Sequence, residues 1–338
     1  MKHLALTPDG PAVSQLCLGC MNMGTTLDRA TSFAMLDRFV EAGGNFLDTA
    51  NCYAWWNGTG QFVGDESENV LGEWVRERRN RGEVVLASKV GARLPHPERI
   101  RDAQGNIRWE SVREAYEYLA PETIRTSVEG SLRRLRTDHL DLCYAHIDDP
   151  RTPLEETLGA LDALVREGKV LRIACSNHRA WRLALARRIS HDRGWAPYIA
   201  IQQEFSYLRP RRGTDFGVDV HVDDELLDYL RRDGGVGLLA YSPLLKGIYD
   251  DAAKRARYYN WSHFNTAENH ARLEVLTRMA GALGVSNSQL VLAWLLHHTP
   301  TVIPLIAASS LAQFEHNLGA LQIRLSPEQM HELTNAGA

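Results

Sequence analysis

The chain has 338 residues, of which 44% are hydrophobic and 24% are charged, and this composition is typical of a globular protein with one or two domains. Its formal net charge is only -4 and the sequence has no acidic or basic tail, which argues against nucleic acid or an anionic membrane surface as the partner. We therefore expect the protein to act on a small molecule.

The five cysteines are Cys17, Cys20, Cys52, Cys143 and Cys175. Their odd number and mostly apolar surroundings predict reduced core thiols instead of a disulfide framework. Cys17 and Cys20 have the spacing of a redox or metal-binding pair, but the sequence has no second pair and the segment alternates like a strand, so we interpret both as structural. The first residues lack the apolar stretch of a signal peptide, and no apolar run reaches the about 20 residues that span a bilayer, so a cytoplasmic protein without a membrane partner is expected.

Short apolar runs alternate with amphipathic helical segments along the whole chain, and this alternation predicts a parallel sheet covered by helices. After an N-terminal β-hairpin, eight runs are predicted as strands, at residues 16–20, 45–49, 84–90, 140–146, 171–176, 199–204, 236–241 and 301–306. Three helix starts carry the pattern of a capping box, a hydroxyl side chain followed three residues later by Glu or Gln: Thr152 and Glu155, Ser286 and Gln289, and Ser326 and Gln329.

Eight strand–helix units with no linker between them favour one closed (β/α)8 TIM barrel, a single domain over residues 1–338 with extra C-terminal helices. A doubly wound sheet would require a dinucleotide-binding fingerprint, and the nearest match, Gly58, Gly60 and Gly64, has the wrong spacing and precedes its strand. The connections 91–120 and 242–267 are too long for simple turns, so we predict that they form the rim of an active site.

Functional residues of a TIM barrel lie at the C-terminal ends of its strands. Asp48, Lys89 and His146 end three neighbouring predicted strands, and Tyr53 follows Asp48 by five residues. Taken alone, each has a structural explanation, such as a helix cap for Asp48 or a solvent-directed amine for Lys89. Four titratable side chains at the same end of the sheet indicate a shared site instead.

His146 is followed closely by Asp148 and Asp149, and side chains of these types can bind metal ions. Aspartates that precede a proline, here Pro150, are more typical of a turn. We therefore predict no metal site in this segment.

The motifs around these residues resemble those of the aldo-keto reductase family, in the branch that includes the potassium-channel β subunits and many bacterial reductases. The resemblance covers essentially the whole chain and rests on residues 43–50 with Tyr53, on Ser88 with Lys89, and on residues 140–146. It implies a catalytic tetrad of Asp48, Tyr53, Lys89 and His146. It also implies that a nicotinamide dinucleotide is held by Ser176, Asn177, Gln202, Tyr241, Ser242, Pro243, Leu244, Gly247, Ser309, Gln313 and Asn317.

The implied reaction is the reduction of an aldehyde or ketone by hydride transfer, which builds an alkoxide and requires a proton donor. Tyr53 would be that acid. An ammonium group about 4 Å away, at an effective dielectric constant of about 20, favours a phenolate by roughly 4 kcal/mol, so Lys89 is expected to lower the pKa of Tyr53. Asp48 would keep Lys89 charged, and His146 would donate a hydrogen bond to the substrate oxygen.

NADPH is the cofactor that the resemblance implies, with NADH as the alternative. Ser309 and His316 stand where many relatives carry a basic residue and a glutamate, so the positive charge that the extra phosphate requires would come from elsewhere in the chain. Lys246 and Arg255 are the predicted partners of that phosphate.

Trp55, Trp56 and Tyr207 predict an aromatic rim around the substrate, and such a rim suits a sugar face and an aromatic aldehyde equally. Resemblance to bacterial sugar-modifying reductases favours a carbohydrate-like or small aldehyde substrate. Two other functions stay open at this point: an enzyme in which Lys89 forms a Schiff base, and a cofactor-loaded regulatory module like the channel β subunits.

Overall fold

The computed structural model describes residues 1–8 and 10–337 and contains a closed barrel of eight parallel strands. Including a separate hairpin, the described residues contain ten strands: β1 (His3–Ala5), β2 (Ala12–Ser14), β3 (Cys17–Gly19), β4 (Phe46–Asp48), β5 (Val85–Val90), β6 (Leu142–Ala145), β7 (Ile173–Ser176), β8 (Tyr198–Glu204), β9 (Gly237–Tyr241) and β10 (Val302–Ile306). The barrel closes in the order β10-β3-β4-β5-β6-β7-β8-β9, and β1 pairs with β2 as a separate antiparallel hairpin. The predicted TIM barrel and its N-terminal hairpin are therefore confirmed.

Helices cover the outside of the barrel. Within the described residues they are α1 (Arg29–Glu41), α2 (Glu66–Arg78), α3 (Trp109–Ala115), α4 (Pro121–Leu135), α5 (Leu154–Arg166), α6 (Ala180–Arg193), α7 (Asp224–Asp233), α8 (Ala252–Ala256), α9 (Trp261–Phe264), α10 (Ala267–Leu283), α11 (Asn287–Leu296), α12 (Leu311–Leu318) and α13 (Pro327–Asn335). The two long connections predicted from the sequence contain short helices, α3 in the first and α8 and α9 in the second. At the C-terminal end of the chain, α13 packs against α10.

Two of the three predicted capping boxes are confirmed. The hydroxyls of Ser286 and Ser326 accept hydrogen bonds from backbone amides three residues later, and each glutamine at that position binds back to the capping residue. The prediction for Thr152 is wrong, because Pro153 takes the capping position with an extended backbone and its carbonyl accepts from Glu156 N at 2.9 Å. The Thr152 hydroxyl therefore stands one residue too early to cap α5.

The barrel interior is filled by side chains that alternate along the strands with others facing the helices. The interior cluster consists of Leu6, Val13, Cys17, Phe46, Ala87, Leu142, Tyr144, Ala174, Ala200, Leu239 and Ile303. Leu6 of the hairpin lies against Gly237 at the start of β9, so the hairpin closes the N-terminal end of the barrel. Asp48, Lys89 and Gln202 each lie two residues beyond a member of this cluster and therefore point into the barrel at its C-terminal end.

A second and larger apolar cluster lies between the barrel and the surrounding helices. All five cysteines are buried within these layers and the site above them, which confirms that they are core residues. In residues 1–8 and 10–337, no single helix is long and apolar enough to cross a membrane, and only α10 and α11, bent by 96° at their junction, meet that length and composition as a pair.

Candidate active site

The ammonium group of Lys89 is the centre of a buried cluster at the C-terminal end of the barrel. Lys89 and Asp48 are both fully buried, and Lys89 Nζ donates to Asp48 Oδ1 and to the carbonyl of Thr49 at 3.0 Å. Lys89 Nζ also lies 2.6 Å from the hydroxyl oxygen of Tyr53. The other oxygen of Asp48 accepts from Gln202 Nε2 at 2.9 Å. The register of β4, β5 and β8 thus brings together three side chains that the sequence predicted as neighbours and adds Gln202 to them.

The environment of Tyr53 shifts its pKa in a direction opposite to the predicted one. Burial raises the pKa of the Tyr53 hydroxyl, and the Asp48 carboxylate raises it further. Burial also raises the pKa of Asp48, against the opposing effect of the Lys89 ammonium. The Lys89 ammonium alone would lower the pKa of Tyr53, whereas in the structure Asp48 offsets its charge and the barrel removes water. Tyr53 therefore keeps its proton in the resting site and can act as an acid.

His146 lies beside Tyr53, with ring centroids 5.7 Å apart in an edge-to-face arrangement. Burial, followed by the charge of Lys89, lowers the pKa of His146 well below its usual value, so the imidazole is neutral. Its Nδ1 atom lies 3.6 Å from the sulfur of Cys52, and burial raises the pKa of that thiol to about 12. A protonated thiol that donates to Nδ1 leaves the imidazole proton on Nε2, where it can be donated to a substrate oxygen.

A half-buried carboxyl group that the sequence did not single out, that of Glu117, holds the loop carrying Tyr53. Glu117 Oε1 accepts from Asn51 Nδ2 at 3.0 Å, from Gly91 N at 3.2 Å and from Ser127 Oγ at 2.9 Å. Burial raises the pKa of Glu117 despite these donors. Glu117 lies in an irregular stretch between α3 and α4, and no local pattern in the sequence marks it as half-buried.

Several of the predicted cofactor residues meet at the ends of β7, β8 and β9. Asn177 Nδ2 donates to the carbonyl of His146 at 3.0 Å, and Asn177 Oδ1 accepts from the hydroxyl of Tyr241 at 2.8 Å. Ser176 Oγ donates to the carbonyl of Gln202 at 2.7 Å. Tyr241 is only half-buried, so its ring remains accessible beside the catalytic cluster. The structure thus brings these four predicted residues together beside the catalytic cluster, with Asn177 in contact with His146 and Gln202 in contact with Asp48.

The other predicted cofactor residues form two further groups. Ser309 binds Gln313 Oε1 through both its amide and its hydroxyl, at 2.8 and 2.9 Å, directly before and within α12. Asn317 is buried and donates to the carbonyl of Ala307 at 3.4 Å. The remaining residues, Ser242, Pro243, Leu244 and Gly247, lie in the turn that follows β9.

The two cations predicted for the extra phosphate are already engaged. Arg255 donates to the carbonyls of Ile248 and Tyr249 at 3.1 and 3.2 Å. Lys246 Nζ lies 4.5 Å from the centre of the Tyr259 ring, and burial lowers the pKa of Lys246. Lys254, which the sequence analysis missed, brings its Nζ to 3.1 Å from the position that a Cβ atom on Gly247 would take.

The positive φ of 82° at Gly247 explains why glycine is favoured in this turn. The turn and the Lys254 ammonium form a cradle of the kind that can receive a phosphate group.

The aromatic residues predicted at the rim have different environments. Trp55 is buried and contacts the rings of Trp56, which is half-buried, and Trp109, which is 61% exposed. Tyr207 is fully buried, with its ring 5.4 Å from that of Trp294 and 4.2 Å from the guanidinium carbon of Arg272. The prediction that Tyr207 belongs to the rim is therefore wrong: its ring packs into the core near α10 and α11.

The aspartates after His146 have the structural roles expected of a turn. Asp149 Oδ1 accepts from the backbone amide of Arg151 at 2.8 Å, and Asp148 binds Arg182 at 2.9 Å. Within the part of the chain that the structure describes, no three histidine, cysteine, aspartate or glutamate side chains are grouped to bind a metal ion.

A TIM barrel whose strand ends hold a Tyr–Lys–Asp–His cluster defines an oxidoreductase of the aldo-keto reductase type, and comparisons with known proteins agree. Residues 15–338 match the model of the Aldo/keto reductase family, and the chain belongs to this family. Its members are oxidoreductases that act on carbonyl groups of small molecules with a nicotinamide cofactor.

Three relatives are similar over nearly the whole chain. Norsolorinic acid reductase stcV of Emericella nidulans is 35% identical over 98% of this chain and 80% of its own length. The uncharacterized oxidoreductase YrpG of Bacillus subtilis is 31% identical over 99% of this chain and 95% of its own. An aryl-alcohol dehydrogenase [NADP(+)] of Phanerodontia chrysosporium is 28% identical over 99% and 82%.

Among solved structures, a thermostable aldo-keto reductase in complex with the inhibitor epalrestat superposes with a TM-score of 0.70. It is 26% identical in sequence, and the match covers 99% of both chains. The relationship therefore extends over the barrel, the rim loops and the C-terminal helices alike.

Proposed function

We propose that this protein reduces an aldehyde or ketone carried by an aromatic ring, with NADPH as the hydride donor and Tyr53 as the general acid. The observation that carries the proposal is the buried cluster in which Lys89 Nζ contacts both the Tyr53 hydroxyl at 2.6 Å and the Asp48 carboxylate. A tyrosine placed against an ammonium group at an open cleft is suited to protonate an alkoxide as it forms.

The chain's own residues support each part of this proton transfer. When bound, the dinucleotide supplies the hydride that reduces the carbonyl carbon. Tyr53 then gives its proton to the carbonyl oxygen, and Lys89 stabilises the negative charge that develops on the phenol. Asp48 offsets the cost of burying Lys89, and His146 Nε2 donates to the same substrate oxygen and fixes its direction.

The proposed preference for NADPH is supported by Lys254 and by the printed name of the Phanerodontia chrysosporium relative. Lys254 Nζ lies at the turn around Gly247, whereas Lys246 and Arg255 are held by an aromatic ring and by carbonyl groups. Replacing Lys254 by alanine should weaken NADPH binding more than NADH binding, measured by quenching of tryptophan fluorescence. Lys246→Ala is the matched control and should leave the ratio of the two dissociation constants unchanged.

The proposed substrate class differs from the carbohydrate-like or small aldehyde substrate that the resemblance favoured, although the aromatic rim suited an aromatic aldehyde equally. Norsolorinic acid reductases and an aryl-alcohol dehydrogenase are among the similar proteins, and their names indicate aromatic substrates. The rim supports the same class, because Tyr116 packs on the apolar cluster around Tyr53 and also on the cluster that contains Trp55 and Trp56. A chain of packed aromatic side chains therefore connects the exposed Trp109 with the proposed acid.

The test is consumption of NADPH with a panel of benzaldehydes, aryl ketones, aldoses and short aliphatic aldehydes. The proposal expects the aryl carbonyl compounds to have the highest kcat/KM. Faster turnover of aldoses would replace the aromatic substrate class by the sugar class. No turnover of any carbonyl compound, together with tight NADPH binding, would contradict the proposed activity and favour a regulatory module.

A further inference from the structure

A short segment between β8 and α7 crosses the mouth of the barrel, and we call residues 216–222 the strap. Its backbone is tied to the end of β8, with Glu204 N donating to Val220 O at 3.1 Å and Val222 N donating to Glu204 O at 2.9 Å. Val220 N also donates to Asn177 Oδ1 at 3.1 Å. The strap is therefore fixed above the C-terminal ends of β7 and β8, beside the strand ends that carry the catalytic cluster.

Two neighbouring residues of the strap face this site. Val218 packs on the small apolar cluster that also carries Tyr53 and Tyr116. Asp219 Oδ1 lies 3.4 Å from the hydroxyl of Tyr241. The charge of Asp219 raises the pKa of both Tyr116 and Tyr241, in addition to the larger effect of burial, so the carboxylate lies close to both phenols. Asp219 thus lies at the mouth, on the path between the aromatic rim and Tyr53.

The Asp219 carboxylate is available to a ligand. Its side chain is exposed to solvent, and its one side-chain polar contact in the described residues is the 3.4 Å approach of the Tyr241 hydroxyl, whose proton is donated to Asn177 Oδ1 at 2.8 Å. Partial loss of hydration raises its pKa to about 6, so it is mostly ionised at neutral pH. The nearby Glu204 has a pKa raised to about 8 by burial and is largely neutral at the same pH. Asp219 is therefore the negative charge that a substrate at this part of the mouth encounters.

We propose that Asp219 is a specificity-determining residue that accepts a hydrogen bond from a hydroxyl group on the substrate's ring and repels substrates that carry a carboxylate there. This inference rests on the proposed function, because it assigns a selection step to the same carbonyl-reducing site. A hydroxyl bound to a carboxylate forms one of the stronger hydrogen bonds in proteins, and two carboxylates at one site repel each other. Asp219 would thus both attract substrates with a ring hydroxyl and exclude substrates with a ring carboxylate.

The experiment compares kcat/KM for benzaldehyde, meta-hydroxybenzaldehyde and meta-carboxybenzaldehyde in the full-length wild type and in Asp219→Asn. The substitution keeps the size of the side chain and removes its charge. We expect the preference for the hydroxylated over the unsubstituted aldehyde to fall roughly tenfold. Turnover of the carboxylated aldehyde should rise at least severalfold in the same variant, and turnover of benzaldehyde should stay within about twofold of wild type.

The matched control is Asp215→Asn, an exposed aspartate next to the strap that caps the amide of Gly217 at 2.8 Å. It should leave all three substrate ratios as in the wild type. A variant that merely folds poorly would lose turnover of every substrate and could not gain turnover of the carboxylated aldehyde. A lower preference for the hydroxylated aldehyde together with faster turnover of the carboxylated one therefore indicates changed substrate selection and not a damaged fold.

Other results would overturn the inference. If Asp219→Asn changes all three aldehydes equally, Asp219 does not select among substrates. If it changes the NADPH dissociation constant and not the substrate ratios, the carboxylate acts on the cofactor through Tyr241. In both cases the wild type still reduces benzaldehydes, whereas failure of the proposed function would show as no turnover of any carbonyl compound by the wild type.

Discussion

The floor and the rim of the candidate active site are built by different means. The floor consists of Asp48 and Lys89, which are fully buried at the ends of paired strands, with Tyr53 and His146 above them. The rim consists of irregular connections whose side chains range from the buried Trp55 to the 61% exposed Trp109. The hydrogen-bonded register of the strands fixes the positions of the floor side chains. The positions of the rim side chains depend instead on individual contacts within the connections.

This difference separates chemistry from selection. A buried ion pair at the floor cannot change without leaving an uncompensated charge, so the floor specifies one reaction. The rim can exchange side chains at little cost to folding, so it is where substrate choice can vary. Substitutions at the floor should therefore abolish turnover or stability, and substitutions at the rim should change ratios between substrates.

The largest effect is expected from Tyr53→Phe. Without the hydroxyl, the proton donor is lost, and kcat should fall by roughly 10²–10⁴-fold while the NADPH dissociation constant stays within about twofold. Stopped-flow measurement of NADPH oxidation and fluorescence titration separate the two quantities. Tyr259→Phe at the rim, where the ring is 68% exposed, should lower kcat by no more than a few fold. Unchanged turnover in Tyr53→Phe would falsify the assignment of the acid.

Lys89→Met should reduce stability as well as activity. It leaves the Asp48 carboxylate buried without its partner, which costs about 3–5 kcal/mol of the free energy of unfolding, measured by urea denaturation. The double variant with Asp48→Asn removes both charges and should recover much of that loss while remaining inactive. An exposed pair provides the contrast: Arg232→Met breaks the contact with Asp228 at 2.8 Å and should lower the free energy of unfolding far less. Equal losses of unfolding free energy at the buried and the exposed ion pair would show that burial does not determine the effect of breaking such a pair.

The floor is the part of the site that could be predicted from the sequence. Asp48, Lys89 and His146 each end a predicted strand, and the parallel barrel brings such ends together whatever the loops do. Tyr53 follows Asp48, at the end of a predicted strand, by five residues, and the family resemblance added the residues of β7 to β9. The direction of the Tyr53 pKa was predicted incorrectly, because the effect of Lys89 can be inferred from the motif, whereas the desolvation and the opposing charge of Asp48 require coordinates.

The rim could not be predicted in the same way. Tyr207 and Trp55 are aromatic residues in similar loop contexts, yet Tyr207 packs under Trp294 in the core. Asp219 and Glu117 carry no motif, and only the path of the chain brings one beside Tyr241 and the other beside Asn51. Long irregular connections have no periodicity from which burial could be inferred.

Glu117 joins the floor to the rim and should show an intermediate effect. Glu117→Ala leaves the donors of Asn51 and Gly91 without their acceptor, which costs about 1–3 kcal/mol and loosens the loop that carries Tyr53. Glu117→Gln keeps an acceptor oxygen and should retain most of the stability and kcat. Thermal unfolding and kcat measured on both variants test this, and identical behaviour of the alanine and glutamine variants would mean that the acceptor is not what holds the loop.

The smallest effect is a dependence of stability on pH at the strap. Burial raises the pKa of Glu204 to about 8, so the folded protein binds this proton more tightly than the unfolded chain does. The resulting stabilisation is complete below the ordinary glutamate pKa and is lost as the pH rises through about 8. His221, which lies 3.7 Å from Glu204, has a pKa lowered to about 4 by burial, and its contribution varies only below about pH 6.5.

Asp219, whose pKa is raised to about 6, is mostly ionised by about pH 7. Between about pH 7 and about pH 8.5 the change at the strap therefore comes mainly from Glu204. Over this range the midpoint of thermal unfolding should fall further in the wild type than in Glu204→Gln, whose amide does not titrate. Glu225→Gln removes an exposed carboxyl group in the first turn of α7 and should behave as the wild type does. If the midpoint of thermal unfolding falls by the same amount in wild type and in Glu204→Gln, Glu204 is already ionised at neutral pH. The mouth would then carry two negative charges in place of one, and Asp219 would not be alone in selecting substrates.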